Sequence, residues 1–338
     1  MPGEIAGSIL TPHGFVKGTL EHRGGRVRRI AGEPVAEEYA REHSEAIVLP
    51  GFVDTHVHGG GGGDTMQGGD AIDRIARLHA RHGTTSLLAT TVTSPLAELQ
   101  AAMTALGPAC RQRSSGGARV LGVHLEGPYI NPGKLGAQPD FVRSASVDEV
   151  LALHALAPII LVTLAPEVSG HLELIPALRS AGFRVQIGHT LGSYDDGVAA
   201  LERGASGFTH LFNAMSGMHH RSPGIVGAAL AHARYAEIIP DLLHVHPGAL
   251  KVALRAIPGV FCVTDSTAAA GRGGRRGTAQ SPHAGGYASR GLDAGVDPRG
   301  RLSWACRTRA HRRGRVRGFR GRRSGASPQA RLRRRRRD

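Results

Sequence analysis

The sequence Pro50-Gly51-Phe52-Val53-Asp54-Thr55-His56-Val57-His58 is followed by five glycines at residues 59–63. Its apolar residues predict a buried strand that ends in two histidines one residue apart. Side chains two positions apart on a strand point to the same face, so His56 and His58 should project together. Two converging imidazoles can bind one divalent metal, although a strand closed by two polar residues is the simpler alternative.

Strand-like segments alternate with segments of helical apolar spacing between residues 50 and 264. The predicted strands are 52–57, 84–93, 119–125, 159–164, 185–188, 207–210, 235–239 and 260–264, and the predicted helices are 71–82, 96–106, 147–156, 172–181, 194–203 and 247–256. This alternation implies parallel strands joined by crossover helices. Eight such units predict an α/β fold, a (β/α)8 TIM-like barrel, with a doubly wound open sheet as the alternative.

Polar side chains stand where the predicted strands end. A TIM barrel carries its chemistry at the carboxyl ends of its strands, so these residues should meet on one face. They are His56 and His58 on the first strand, Glu126 on the third, His189 on the fifth, His210 on the sixth and Asp265 on the eighth. Besides Glu126, Asp265 is the one carboxylate that we place at a strand end. The set predicts a metal site with an acid/base nearby.

Three regions divide the chain. Residues 1–48 should form part of a small, incomplete β-sandwich domain, with strands at 14–20 and 26–30. Residues 49–271 should form the barrel. Residues 272–338 are rich in arginine and lack apolar periodicity, which predicts a segment without a packed core.

The net charge of +15 belongs to the end of the chain. Residues 271–338 contain 21 of the 42 Lys and Arg residues and 3 of the 27 Asp and Glu residues, a net charge of +18. The remaining 21 basic and 24 acidic residues give residues 1–270 a net charge of −3. The absence of a long apolar run predicts no membrane span, and three distant cysteines favour a reducing, cytoplasmic compartment.

Long motifs in the predicted barrel resemble a known family. The strings His-Leu-Glu-Gly-Pro-Tyr-Ile-Asn-Pro at 124–132 and Thr-His-Leu-Phe-Asn-Ala-Met at 209–215 are similar to those of the N-acetylglucosamine-6-phosphate deacetylases, a branch of the amidohydrolase superfamily. The matching segments are 50–63, 124–137, 186–193, 208–227, 244–247 and 263–271.

The resemblance implies a role for each matching residue. Glu126, His189 and His210 would hold the catalytic metal, Zn²⁺ or Fe²⁺, and His56 and His58 a second metal position, giving one or two ions per subunit. Asp265 would be the acid/base for metal-activated water, which releases acetate and glucosamine 6-phosphate in amino-sugar catabolism. The residues expected at the substrate are Gln138, Asn213 and Ala214 at the sugar, and Arg221 and His244 at its phosphate. The resemblance also implies a homodimer.

Three departures from the family pattern stand out. Gln138 replaces a histidine that many members have, and Leu242, after an unusual Pro240, replaces a glycine. The resemblance stops after Gly271. A shifted reading frame would explain the composition of residues 272–338, and a genuine basic arm, disordered or binding nucleic acid, is the alternative.

Two other functions compete with deacetylation of a sugar phosphate. One is hydrolysis of another N-acyl or cyclic amide, which would not require Arg221 and His244. The other is an inactive paralogue that binds polyanions non-specifically through its arginine-rich end, with a steep salt dependence.

Overall fold

A computed structural model describes residues 2–43 and 45–271 of the chain, and the predictions for residues 272–338 lie outside this part. The chain begins with four strands, β1 Gly3–Thr11, β2 Gly14–Arg23, β3 Arg26–Val35 and β4 Ile47–Val48, with helix α1 Glu37–Glu42 between the last two. They form one sheet of order β3-β2-β1-β4. The sequence predicted shorter versions of β2 and β3 and did not predict β1 or α1.

A row of glycines crosses this sheet. Gly18 pairs with Gly7 on one side and with Gly32 on the other. A Cβ atom on Gly18 would lie 1.9 Å from the carbonyl oxygen of Ala31, so no larger residue fits without backbone movement. The three strands can therefore approach one another closely along this row.

Eight later strands form one parallel sheet in chain order, which confirms the predicted α/β barrel architecture. After β5 Phe52–Val57, a glycine hairpin of β6 Gly59–Gly60 and β7 Gly63–Asp64 leads into a short 3₁₀ turn, Thr65–Gln67. The remaining strands are β8 Thr84–Thr90, β9 Arg119–Glu126, β10 Ile159–Leu164, β11 Arg184–Ile187, β12 Gly207–Phe208, β13 Tyr235–Ile238 and β14 Gly259–Cys262.

Helices connect successive strands of the barrel. They are α2 Gly69–Arg81, α3 Leu96–Arg111, α4 Val147–Leu156, α5 His171–Ser180, α6 Tyr194–Glu202, α7 Gly224–His232 and α8 Pro247–Ala256, with a 3₁₀ turn at Pro132–Lys134. Helix α7 was not predicted. Six of its residues are buried, and its sequence, GIVGAALAH, is apolar on nearly every side. The helix therefore shows no amphipathic period.

The barrel is closed by the segment that follows β14 and not by a strand ladder. Val57 of β5 forms a parallel bridge with Ser266, whose carbonyl oxygen accepts from the N–H groups of His58 and Gly59. The N–H of Asp265 donates to the carbonyl oxygen of His56. Closure therefore joins the predicted metal-binding strand directly to the predicted acid/base.

Several predicted site residues lie beyond their strands. The sequence placed His189, His210 and Asp265 at strand ends, whereas β11, β12 and β14 stop two or three residues earlier. His56 lies within β5, and Glu126 is the last residue of β9. The strands aim these groups at one face, but three of the side chains are carried by loops.

The core consists of apolar residues from the strands and from the inner faces of the helices, including Val57, Leu87, Leu125, Ile187 and Phe208. In the described part of the chain, no helix is long and apolar enough to cross a membrane.

His171, at the start of α5, links two loops on the barrel. Its Nδ1 lies 2.8 Å from the carbonyl oxygen of Ala165, and its Nε2 lies 2.9 Å from the N–H of Ala145. Nε2 must be unprotonated to accept this bond, so the ring is neutral with its proton on Nδ1. Burial lowers the pKa of His171, which favours the same neutral form.

We expect the stability provided by His171 to fall in acid. Its pKa is lower in the folded chain than in the unfolded chain, so its contribution is complete above about pH 6.5 and is lost as the pH falls toward the folded value. His171→Leu should cost about 1–3 kcal/mol at pH 7.5. Circular dichroism melts should show a smaller difference from the native chain at pH 5.5, and a larger difference there would contradict the assignment.

Candidate metal centre

Glu126 lies at the middle of a cluster of histidines. Its carboxylate is buried, with 1% of the side chain exposed. Oε1 lies 3.1 Å from Nε2 of His189 and 3.0 Å from Nε2 of His210. Oε2 lies 3.1 Å from Nε2 of His58 and accepts a 2.6 Å hydrogen bond from Nε2 of Gln138. Three strands thus bring their polar groups to one carboxylate.

The first group of candidate ligands is Glu126, His189 and His210. The two Nε2 atoms are 3.1 Å apart, almost the same as their distances from Glu126 Oε1. A tetrahedral zinc ion with Zn–N bonds of 2.0–2.1 Å holds its ligand atoms roughly 3.3 Å apart. The spacing of these three atoms therefore fits a divalent cation, and their N/O chemistry fits zinc or ferrous iron.

The second group consists of His56, His58 and Asp265. Nε2 of His56 lies 3.2 Å from Nε2 of His58, and both atoms lie 3.4 Å from Oδ1 of Asp265. Nε2 of His56 also lies 3.4 Å from Oε1 of Glu126, so the two groups adjoin the same carboxylate. This arrangement could hold a second cation beside the first.

The charges of the cluster are strongly coupled. Burial by itself would raise the pKa of Glu126, but the imidazoles of His56 and His189 hold it well below its usual range. Burial by itself would lower the pKa of His56, but the carboxylates of Glu126 and Asp265 raise it well above its usual range. The site thus stabilises a carboxylate surrounded by positive charge, which a divalent cation would supply when bound.

Strained backbone carries three of these side chains. His189, His210 and Asp265 have φ angles of 49°, 29° and 49°, in the left-handed region. Such a conformation costs about 1–3 kcal/mol for a residue other than glycine and persists only where its surroundings enforce it. Outliers of this kind cluster at functional sites, which is consistent with a site that aims these side chains at the expense of stability.

The turn that carries His189 is held by the carboxylate of Glu167, which was not predicted from the sequence. Glu167, three residues beyond β10, accepts hydrogen bonds from the side chains of Asn131 and Thr190 and from the N–H of Leu191. Nδ1 of His189 lies 2.7 Å from the carbonyl oxygen of Lys134. This contact places a proton on Nδ1 and turns Nε2 towards the candidate metal position beside Glu126.

The expectation that Asp265 is the one carboxylate besides Glu126 at a strand end is therefore wrong. Glu167 follows β10, and Glu237 is buried inside β13. His124, on β9, was also missed and lies in the barrel interior between the carbonyl oxygen of Thr55 and the hydroxyl of Thr163. A lone carboxylate in the strand Tyr235–Ile238 was a usable signal, because a buried charge requires partners.

Three of the predicted substrate residues border the cluster. Gln138 contacts Glu126 directly, and its Oε1 accepts from the N–H of Thr93. The amide of Asn213 turns back to the carbonyl oxygen of His210, at 3.2 Å. Ala214 has a φ angle of 51°, and its carbonyl oxygen accepts from the N–H of Thr190.

The predicted phosphate residues lie on exposed loops. Arg221 is exposed in a tight turn in which His219 pairs with Ser222. Nδ1 of His244 lies 2.6 Å from Oδ2 of Asp241. Leu242 lies between Asp241 and His244 in the sequence, where the family pattern has glycine. It has a φ angle of 65° and is 58% exposed, so its side chain points away from the core. Within residues 2–43 and 45–271, neither Arg221 nor His244 forms a hydrogen bond or ion pair with Glu126.

Comparisons with known proteins identify the family of the chain. The amidohydrolase family matches residues 47–260. An N-acetylgalactosamine-6-phosphate deacetylase of Escherichia coli O157:H7 is 38% identical over 270 residues, which are 78% of this chain and 71% of the relative. An N-acetylglucosamine-6-phosphate deacetylase of Bacillus subtilis strain 168 is 37% identical over 277 residues, 78% of this chain and 70% of the relative.

Solved structures give the same result. A mutant N-acetyl-D-glucosamine-6-phosphate deacetylase of Mycobacterium smegmatis, in complex with N-acetyl-D-glucosamine-6-phosphate, matches with a TM-score of 0.69 and 32% identity over 80% of this chain and 72% of that one. The Pasteurella multocida N-acetylglucosamine-6-phosphate deacetylase matches with a TM-score of 0.70 and 29% identity over 80% and 73%.

The chain belongs to the amidohydrolase family. The resemblance to the N-acetylglucosamine-6-phosphate deacetylase branch, predicted from the motifs, is confirmed by these relatives.

We expect the chain to bind zinc through these two groups of ligands. The native chain should bind at least one equivalent, and His210→Ala should weaken the equivalent held by the first group because it removes one of three ligands. His58→Ala should weaken mainly a second equivalent and should change the first only through Glu126, the carboxylate that both groups adjoin. Metal analysis after equilibration with zinc measures both, with His82→Ala, an exposed histidine, as the control. A native chain without stoichiometric metal would refute the assignment.

Proposed function

We propose that this chain hydrolyses the N-acetyl group of N-acetylglucosamine 6-phosphate to glucosamine 6-phosphate and acetate, a reaction of amino-sugar catabolism. The observation that carries the proposal is the convergence of Glu126, His189 and His210 on one point. Asp265 lies 3.4 Å from His56, which itself adjoins Glu126. The substrates named for the relatives give the substrate class.

The proposed reaction divides the work between a metal and an aspartate. A divalent cation held by Glu126, His189 and His210 would lower the pKa of water and polarise an amide carbonyl. Asp265 would take the proton of the attacking water and deliver it to the leaving amine. Its carboxylate is 22% exposed, so it stands at the boundary between the buried histidines and the open face.

Gln138 would support the metal centre as well as the sugar. Its Nε2 donates to Glu126 and its Oε1 accepts from the backbone, so the amide holds the carboxylate in place. One N–H of the amide remains for the substrate. Asn213 and Ala214 would contact the sugar from the loop after β12.

Arg221 and His244 would bind the phosphate. A planar guanidinium can donate two parallel hydrogen bonds to phosphate oxygens. Burial by itself would raise the pKa of Asp241, but hydrogen bonds from the backbone and ring of His244 hold it below its usual range. An ionised Asp241 accepts from the ring of His244 and so fixes the orientation of that ring.

A second substrate is favoured by one comparison. The Escherichia coli relative is named for N-acetylgalactosamine 6-phosphate, which differs from the first substrate only in configuration at C4. The proposed metal chemistry and phosphate contacts do not involve C4. Parallel assays with both sugar phosphates would show which epimer the chain prefers.

The proposal extends to assembly and location. We propose a homodimer in the cytoplasm, and exposed apolar residues beside the phosphate residues, Met218, Leu242 and Leu243, support an interface there. Light scattering of the purified chain would measure the mass, and a monomer at micromolar concentration would argue against the dimer.

Asp265→Asn should reduce turnover about 10²–10⁴-fold or more, because the amide keeps the shape but cannot transfer a proton. Acetate release from N-acetylglucosamine 6-phosphate by metal-loaded protein measures the loss. Asp195→Asn, an exposed carboxylate on α6, is the matched control and should keep native activity. Near-native turnover of Asp265→Asn would remove Asp265 from the reaction.

Arg221→Ala and His244→Ala should affect substrates that carry the phosphate. Each loses a charge-assisted hydrogen bond worth about 1.5–3 kcal/mol, which corresponds to roughly 10- to 150-fold in kcat/KM. Activity toward unphosphorylated N-acetylglucosamine should change little. Equal losses on both sugars would contradict a phosphate role, and hydrolysis only of unphosphorylated N-acyl or cyclic amides would favour the competing amidohydrolase function.

A further inference from the structure

Glu237 is a buried carboxylate to which the proposed reaction gives no role. It lies in β13, the apolar strand Tyr235–Ile238, and its side chain is 0% exposed. Burying an unpaired carboxylate is strongly unfavourable, so such a group is retained only where specific partners compensate it. Its partners therefore indicate what it does.

The partners of Glu237 lie around the metal-facing histidines. Oε2 lies 3.0 Å from Nδ1 of His56 and accepts from the N–H of His210 at 3.4 Å. Oε1 accepts from the hydroxyl of Thr55 at 2.8 Å. The carboxylate thus contacts the His56 ring on the side opposite Nε2, the atom that faces His58, Glu126 and Asp265.

We propose that Glu237 is the positioning residue of His56. By accepting the Nδ1 proton, it keeps the Nε2 lone pair directed into the group formed with His58 and Asp265. Pairs of carboxylate and ligating histidine fix the tautomer and orientation of the ring and raise its basicity as a ligand. The inference rests on the proposed metal centre. The second metal position is the group of His56, His58 and Asp265, and Glu237 raises its affinity for a metal by orienting His56.

The other histidines of the cluster are held differently. Nδ1 of His189 contacts a neutral backbone carbonyl, that of Lys134. Nδ1 of His58 and Nδ1 of His210 are buried, with no hydrogen-bond partner in the described part of the chain. His56 therefore has the strongest orienting contact of the four rings. Loss of this contact should affect the second position more than the first, because His56 contacts two members of the second group and only Glu126 of the first.

A metal held by Glu237 itself is the competing explanation. His56, His124 and Glu237 lie close enough together to surround an ion. However, Nδ1 of His124 faces the carbonyl oxygen of Thr55 at 3.1 Å, and its Nε2 lies 2.7 Å from Oγ1 of Thr163. Both of its nitrogens are already engaged, so His124 has no free lone pair to offer a metal. The contacts favour the positioning role.

The test compares two substitutions at Glu237 in the full-length chain. Glu237→Leu removes the acceptor for Nδ1 and should weaken one zinc equivalent about 10–100-fold, the same equivalent that His58→Ala removes. Glu237→Gln keeps a carbonyl oxygen that can accept from Nδ1, so it should retain most of the native affinity. Zinc titration against a chromophoric chelator measures each equivalent separately.

Thr55→Val is the matched control. It removes a hydroxyl that also donates to Glu237 but keeps the hydrogen bond between Nδ1 of His56 and the Glu237 carboxylate. It should therefore lower the free energy of unfolding without weakening zinc binding. Equal zinc affinity in Glu237→Leu and the native chain would overturn the inference, as would an equal loss in Thr55→Val. A native chain that binds no zinc would instead refute the proposed function on which the inference rests.

A spectroscopic measurement on the native chain does not depend on whether the variants at Glu237 and Thr55 fold. In zinc-loaded, ¹⁵N-histidine-labelled protein, His56 should carry its proton on Nδ1 and none on Nε2. The resonance is assigned by its disappearance in His56→Gln. A proton on Nε2 of His56 would overturn the positioning role of Glu237 even if every substitution weakened zinc binding.

Discussion

The described structure depends on one buried carboxylate, that of Glu126, and on the positive charge gathered around it. A carboxylate in the interior of a barrel is costly unless it is paired and hydrogen-bonded. Here, four imidazole Nε2 atoms lie within 3.4 Å of its two oxygens, and the amide of Gln138 supplies a further hydrogen bond. The parallel barrel makes this possible because β5, β9, β11 and β12 all deliver their polar groups to the same face.

Precise placement of these groups comes from loops and from the contacts that hold them. The strands end early, and His189, His210 and Asp265 adopt left-handed backbone conformations beyond them. Glu167 holds the turn after His189, and the hydrogen bond from Asp265 to His56 holds the segment that closes the barrel. The site is thus built from strained residues that a rigid scaffold over-determines.

Much of this was accessible from the sequence. Alternating periodicity predicted the barrel, and histidines and carboxylates at strand ends predicted the residues that meet at Glu126. Helix α7 escaped because a helix buried on all sides has no amphipathic period. Glu167 and Glu237 escaped because they act through other residues. Searching the ends of strands for polar residues finds groups that face the open site. Glu237 instead lies behind His56 inside the barrel.

The sharing of Glu126 has a thermodynamic consequence. Oε1 adjoins His189 and His210 on one side and His56 on the other, and Oε2 adjoins His58. Two sites built on one carboxylate cannot have independent affinities, because occupancy of one changes the charge and orientation of a ligand of the other. This coupling is reciprocal: whatever factor the first ion imposes on the second, the second imposes on the first. The two positions should therefore load as a linked pair, so that a substitution in one position also shifts the apparent affinity of the other.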